Sequence, residues 1–101
     1  LRMINKIVTY KVKRSKLNLV KKAIAEFVSN IQKKESGTYF YGAYQKKDKV
    51  SFVHIMCFKD EKSEAKHANS EYCKKFASIL YPSCAKKPVF TDLKLIKSSH
   101  K

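Results

Sequence analysis

Arginine is almost missing from this chain. The formal charge of +15 at pH 7 rests on 21 lysines and only two arginines, Arg2 and Arg14. Arginine's planar fork is the usual instrument of bidentate phosphate and base recognition, whereas lysine is a flexible point charge. So large a positive charge predicts adhesion to nucleic acid at low salt, but only of a nonspecific kind. The lysines come as scattered pairs, Lys21-Lys22, Lys33-Lys34, Lys46-Lys47, Lys74-Lys75 and Lys86-Lys87. A solvated, lysine-biased surface is the plainer reading and an anion-binding face the sharper one. Cysteine is also too scarce to build with. Cys57, Cys73 and Cys84 are odd in number and lack CxxC spacing, which argues against a disulfide framework and a cysteine zinc site. No His, Cys and carboxylate spacing suggests a metal centre, so no metal or other cofactor is expected. Cys57 in an apolar strand and Cys73 on an apolar helix stripe are expected as buried structural thiols, which suits a reducing cytoplasm. No apolar run approaches the ~20 residues of a membrane span, and no N-terminal stretch resembles a signal peptide. Repeats, linkers and low-complexity segments are lacking, so residues 1–101 are expected to form one domain with no membrane partner.

What is present is patterned. Residues 3–13 are rich in β-branched side chains and predict a strand. Val20, Ala23, Ile24, Phe27, Val28 and Ile31 recur at threes and fours, which predicts a helix. Asn18 is its candidate N-cap, and Ser36-Gly37 stops it just after Glu35. Tyr39, Phe40, Tyr41 and Tyr44 suit a strand over 38–46, and Lys47-Asp48-Lys49 a turn into a second strand over 50–58. Asp60 caps a short helical stretch to about Ala68. Ser70 caps another helix, with Tyr72, Cys73, Phe76, Ile79 and Leu80 on one stripe, and Pro82 ends it. A last strand follows Pro88, from Val89 to Ile96, leaving 98–101 as a tail.

The order β-α-β-β-α-β predicts an α+β, ferredoxin-like fold: a four-stranded antiparallel sheet with helices on one face. In the third strand Val53, Ile55 and Cys57 alternate with Phe52, His54, Met56 and Phe58, so both sheet faces are apolar in places. Helices can cover only one of them. A second copy packed sheet to sheet would cover the other, so a homodimer is expected.

One stretch is more specific. Gly37 opens a strand whose fifth residue is Tyr41; a second strand ends at Phe58 and is followed by Asp60; a helical segment then carries Ala65-x-His67-x-x-Ser70, with Phe76 six residues on. This order and spacing resembles the antibiotic biosynthesis monooxygenase (ABM) family of dimeric α/β-barrel proteins. The resemblance covers about 100 residues in element order. It implies paired sheets, a pocket between sheet and helices, and in many members oxidation of quinols or related aromatics by dioxygen without metal or flavin. The chain departs from the family pattern where Phe58 stands for a frequent Trp, Met56 for a Glu and Tyr72 for a second His. Val8 and Phe76 stand at the positions where the heme-degrading branch uses an Asn and a His, which disfavours heme degradation.

Cofactor-free oxygenation needs a base, a dry pocket and donors for an oxyanion. His54 and His67 are the candidate bases. Each has a plainer role, His54 as a core histidine and His67 as an anchor of the turn between helices. Tyr41, Tyr44 and Tyr72 are candidate donors to a substrate oxygen, with core or dimer packing as the alternative. Met56, Phe58 and Phe76 are candidate apolar walls, with ordinary core packing as the alternative. Ser70 and Asp60 read as helix caps, and His100 as part of the tail. The resemblance implies a cofactor-independent monooxygenase acting on a small aromatic or quinol-like molecule. The alternatives are a noncatalytic ligand-binding or stress-related dimer on the same fold, and a basic nucleic-acid-associated protein. The RNP1 pattern that would support the last is absent.

Overall fold

The computed structural model describes residues 3–100. Lys101 of the expected tail, together with Leu1 and Arg2, lies outside the described residues. The strands are β1 (Ile4–Val12), β2 (Thr38–Gln45), β3 (Ser51–Phe58) and β4 (Cys84–Leu93), and the helices α1 (Leu17–Lys34), α2 (Glu61–Ala68) and α3 (Glu71–Ser83). All strand pairs are antiparallel, in the order β2-β3-β1-β4. The chain is therefore the ferredoxin-like βαββαβ fold that its pattern predicts, with the second helical unit split in two.

Alternation decides which side chains meet the helices. Val8, Tyr10 and Val12 of β1 and Phe52, His54, Met56 and Phe58 of β3 are buried under α1 and α3. α1 turns Val20, Ala23, Phe27 and Ile31 inward, and α3 turns Phe76 and Leu80 inward. The Phe27 and Phe76 rings stack at 4.5 Å and join the two helices. Each such ring contributes roughly 1.5–3 kcal/mol by leaving water. The opposite sheet face is open. Across its rungs run Leu93, Asn5, Cys57 and Phe40, then Thr91, Ile7, Ile55 and Gly42, then Val89, Thr9, Val53 and Tyr44. Phe40, Tyr44, Ile55, Val89 and Leu93 are exposed there.

Several boundaries differ from those the sequence suggested. Asn18 is not a cap: α1 grows out of a 3₁₀ turn at Arg14–Lys16, and backbone bonds from the Lys16 and Leu17 N–H groups take the role of a capping side chain. Asp60 and Ser70 do cap, accepting from the N–H groups of Ser63 and Cys73. Pro82 lies inside the last turn of α3 rather than after it. The Ser83 hydroxyl donates to the Ile79 carbonyl at 2.9 Å and the Cys84 N–H to Tyr81, closing the turn around the proton that proline lacks. β4 begins at Cys84, before Pro88, not at Val89. It is an edge strand whose pairing with β1 slips between Thr9 and Lys11, next to Pro88, and an edge tolerates the missing donor. β4 stops at Leu93, opposite Asn5, because β1 has no further residues to pair with Ile96. Of the three thiols only Cys84 is fully buried; Cys57 lies half-buried on the open face.

Candidate functional site

His54 is the hub of the buried sheet face. Its Cα faces Val8 on β1 and Ala43 on β2, and diagonal neighbours on both sides are tyrosines. Diagonal pairs in an antiparallel sheet come within reach of long side chains. Tyr10 Oη lies 2.6 Å from Nε2 and Tyr41 Oη 2.7 Å from Nδ1. A neutral imidazole has one N–H and one lone pair, so one hydroxyl donates to the ring and the other accepts from it. The ring is 1% exposed. Burial, helped by the nearby His67, holds its pKa down at about 4. Burial likewise pushes the Tyr10 and Tyr41 hydroxyls well above the ordinary tyrosine range. At neutral pH the chain Tyr10–His54–Tyr41 is uncharged, and both ring nitrogens of His54 are occupied.

His67 is built differently. Residue 35 leaves α1 in an extended conformation and turns its carboxylate inward, leaving Glu35 only 6% exposed. The His67 Nδ1–H donates to that carboxylate, 3.1 and 3.2 Å from its two oxygens. The Thr38 hydroxyl donates to Oε1 at 2.5 Å, and the Tyr72 hydroxyl donates to Oε2. This fixes the tautomer, because a proton held on Nδ1 leaves Nε2 with the lone pair. Among the described residues nothing hydrogen-bonds Nε2, and no fully buried side-chain polar atom lacks a partner, so Nε2 opens onto space. Burial lowers the His67 pKa, and the Glu35 charge opposes that shift. Tyr72 is pushed up to about 12, by desolvation first and the Glu35 bond second.

His67 lines a cavity of about 110 Å³ between the sheet and α1, α2 and α3. Tyr10, Tyr41, His54, His67 and Cys73 supply its polar edge, and Val8, Phe27, Met56, Phe76 and Leu80 its apolar wall. Its lining also includes Tyr81, Pro88 and Phe90; Phe90 is 61% exposed, which marks the mouth. The fold thus brings together five of the eight residues singled out from the sequence, His54, His67, Tyr41, Met56 and Phe76, while alternation puts Tyr44 on the opposite, open face. Phe58 is not on the wall; it backs His67, ring to ring at 5.1 Å. Tyr72 stands behind Glu35 and faces a shallow groove between α1 and α3. Cys73 is half-buried in the wall, and burial raises its pKa. Sequence reading passed over Tyr10, Glu35 and Thr38. Tyr10 was within reach, since it alternates with the inward Val8 and Val12. Glu35 carried no signal beyond ending a helix. Among the described residues no group of three or more His, Cys, Asp or Glu stands close enough to hold a metal ion, and no helix is long and apolar enough to cross a membrane.

A four-stranded antiparallel sheet with helices on one face and an aromatic cavity between them defines a ferredoxin-like α+β protein with an interior cavity. The profile of the antibiotic biosynthesis monooxygenase family matches residues 3–78, and the chain belongs to that family. Its role is therefore monooxygenase-like in the general sense. Solved structures agree on the fold. A candidate antibiotic biosynthesis monooxygenase from Caulobacter crescentus CB15 is 20% identical, with 94% of this chain and 91% of that one covered and a TM-score of 0.87. A conserved protein from Methanosarcina mazei Go1 is 22% identical, with 91% of each chain covered and a TM-score of 0.83. Rv0793 from Mycobacterium tuberculosis is 11% identical, with 97% and 99% covered and a TM-score of 0.88. No curated protein matches the sequence significantly.

Proposed function

We propose that this protein is a cofactor-independent monooxygenase that oxidises a small hydroxyarene or quinol with dioxygen. The observation that carries the reading is the unoccupied Nε2 of His67, held by Glu35 at the edge of an aromatic-walled cavity. Burial holds the His67 pKa below the ordinary histidine range, which favours the unprotonated nitrogen at neutral pH. His67 takes the phenolic proton, and the Tyr41 hydroxyl, accepting from His54 Nδ1–H in one tautomer and so keeping its own proton free, donates to the oxyanion. The phenolate passes one electron to O₂, and the aryloxyl radical and superoxide combine at a ring carbon. The hydroperoxide then loses water to leave a quinone carbonyl. One oxygen atom enters the product, the other leaves as water, and all the electrons come from the substrate. The thiols of Cys57, Cys73 and Cys84 are unpaired, which fits a reducing compartment such as the cytoplasm.

The test is oxygen uptake with a panel of phenols and quinols, corrected for autoxidation, under ¹⁸O₂. The expected result is one O₂ per substrate, with one labelled oxygen in the quinone. No uptake, together with a raised melting temperature in the presence of phenols, would replace this reading by a noncatalytic binding protein.

The reading includes a homodimer, in which a second copy covers the open sheet face. Phe40, Tyr44, Ile55, Val89 and Leu93 lie exposed on that one face. An apolar face of this kind is a cost to a monomer in water.

A further inference from the structure

We propose that the site selects a single-ring hydroxyarene bearing an acidic substituent, with the hydroxyl buried and the acid at the mouth. The inference rests on the functional reading above and narrows its substrate. The cavity measures about 110 Å³. An apolar protein cavity of about 150 Å³ is known to hold one benzene, so this smaller one takes a single ring at most. It is not easily deepened. Behind His67 stands Phe58 at 5.1 Å, behind Tyr41 stands Phe27 at 5.5 Å, and Phe27 and Phe76 are stacked with no slot between them. Packed interiors of this kind do not yield without strain.

The polar groups set the orientation of the ring. Tyr41, His54 and His67 lie at the buried end, while Tyr81, Pro88 and Phe90 form the outer one. A ring that presents its hydroxyl to His67 must point its para substituent out of the mouth. Outside the lining itself, two ammonium groups lie against Tyr81 and the residue that follows it. Lys87 Nζ lies 5.8 Å from the centre of the Tyr81 ring, which forms one lip, and Lys13 Nζ donates to the neighbouring Pro82 carbonyl at 3.3 Å. Among the described residues no carboxylate pairs with either lysine; the ion pairs present involve Lys6, His67, Lys74 and Lys75. An unneutralised pair of cations beside an otherwise apolar opening favours an anion on the part of the ligand that remains outside.

The test is NMR titration of the whole chain under nitrogen, in low salt, with phenol, 4-hydroxybenzoate and 2-naphthol. We expect 4-hydroxybenzoate to bind about 2- to 5-fold more tightly than phenol, the range that a half-exposed ion pair supplies. The preference should vanish in Lys13→Gln/Lys87→Gln, two surface changes that leave the core intact. 2-Naphthol should bind no more tightly than phenol, because its second ring finds no cavity to fill. A gain of about 10-fold or more for 2-naphthol, the return on burying a further ring, would overturn the size limit. An acid preference that survives the double substitution, or failure of all three compounds to bind, would overturn the proposal. Binding is read without oxygen, so this selectivity stands or falls separately from turnover: a protein that binds as expected but consumes no O₂ overturns the monooxygenase reading alone.

Discussion

At the scale of single residues the two histidines part company. Among the described residues His67 keeps one ring nitrogen, Nε2, without a hydrogen-bond partner, and His54 keeps none. Replacing His67 by Gln keeps a hydrogen bond to Glu35 but removes basicity, so turnover should fall by about 10²-fold, the ordinary worth of a general base. Glu35→Gln has a sharper signature. The Glu35 charge raises the His67 pKa against the pull of burial. Without it that pKa falls further, and the acid limb of the kcat/KM profile should move to lower pH. A Glu35 that merely supports the fold would lower stability and leave the limb in place. His54 governs stability instead. Its folded pKa of about 4 lies below the unfolded value of ~6.5, so between these limits the unfolded chain binds the extra proton. Stability is therefore complete above pH ~6.5 and is lost as pH falls towards 4, by up to about 3 kcal/mol. Denaturant melts from pH 7 to pH 4 should show this slope, and His54→Gln should flatten most of it. An unchanged slope in the variant would assign the loss to other groups.

At the scale of elements the site depends on one irregularity and one close approach. β2 pairs Thr38 with Phe58 and Phe40 with Cys57, so Tyr39 is the extra residue of a bulge. Strict alternation would put Thr38 and Tyr41 on opposite faces. The bulge puts both on the inner face, where Thr38 donates to Glu35 and Tyr41 meets His54. Gly37, just before it, lies against α2: a Cβ there would come 2.1 Å from Ser63 Oγ and 2.7 Å from its Cβ. Gly37→Ala should therefore destabilise by about 1–3 kcal/mol through overpacking, with Ser63→Gly in the same chain recovering part of the loss. Denaturant midpoints of the two single variants and the double variant measure this. Simple additivity would mean that the contact is not the cause. The helix caps are ordinary by comparison: Asp60→Ala and Ser70→Ala should each cost about 1 kcal/mol.

At the scale of the whole molecule the unpartnered sheet face decides behaviour in solution. Sedimentation at micromolar concentration should give twice the 11.7 kDa chain mass. Ile55, at the middle rung of that face and 39% exposed, should dissociate the pair when changed to Glu, because each copy would then bury an unpaired charge. A stable wild-type monomer would leave the exposed face without an occupant. The charge of +15 sets a second whole-molecule property. Any retention on nucleic acid should weaken steeply with salt and show no sequence preference.

Periodicity alone determined the element order, the inward stripes of α1 and α3, and the grouping of His54 with Phe52, Met56 and Phe58 on one face of β3. These are local consequences of spacings of 3.6 and 2, which survive in any fold built from the elements. That this face meets the helices was implied by the resemblance, which also added His67 and the site between sheet and helices. What no spacing could carry is convergence. Glu35 lies 32 positions from His67 and 37 from Tyr72, and Tyr10 lies 44 from His54. Their contacts exist only once strand register, the bulge at Tyr39 and the approach of Gly37 to α2 have set the distances between elements. The limits of β4 were hidden for the same reason: a strand ends where its neighbour does, and Leu93 is the last residue with Asn5 to pair with. Which of two buried histidines keeps a free nitrogen follows from hydrogen bonds made across the core, and those were decided by the tertiary structure alone.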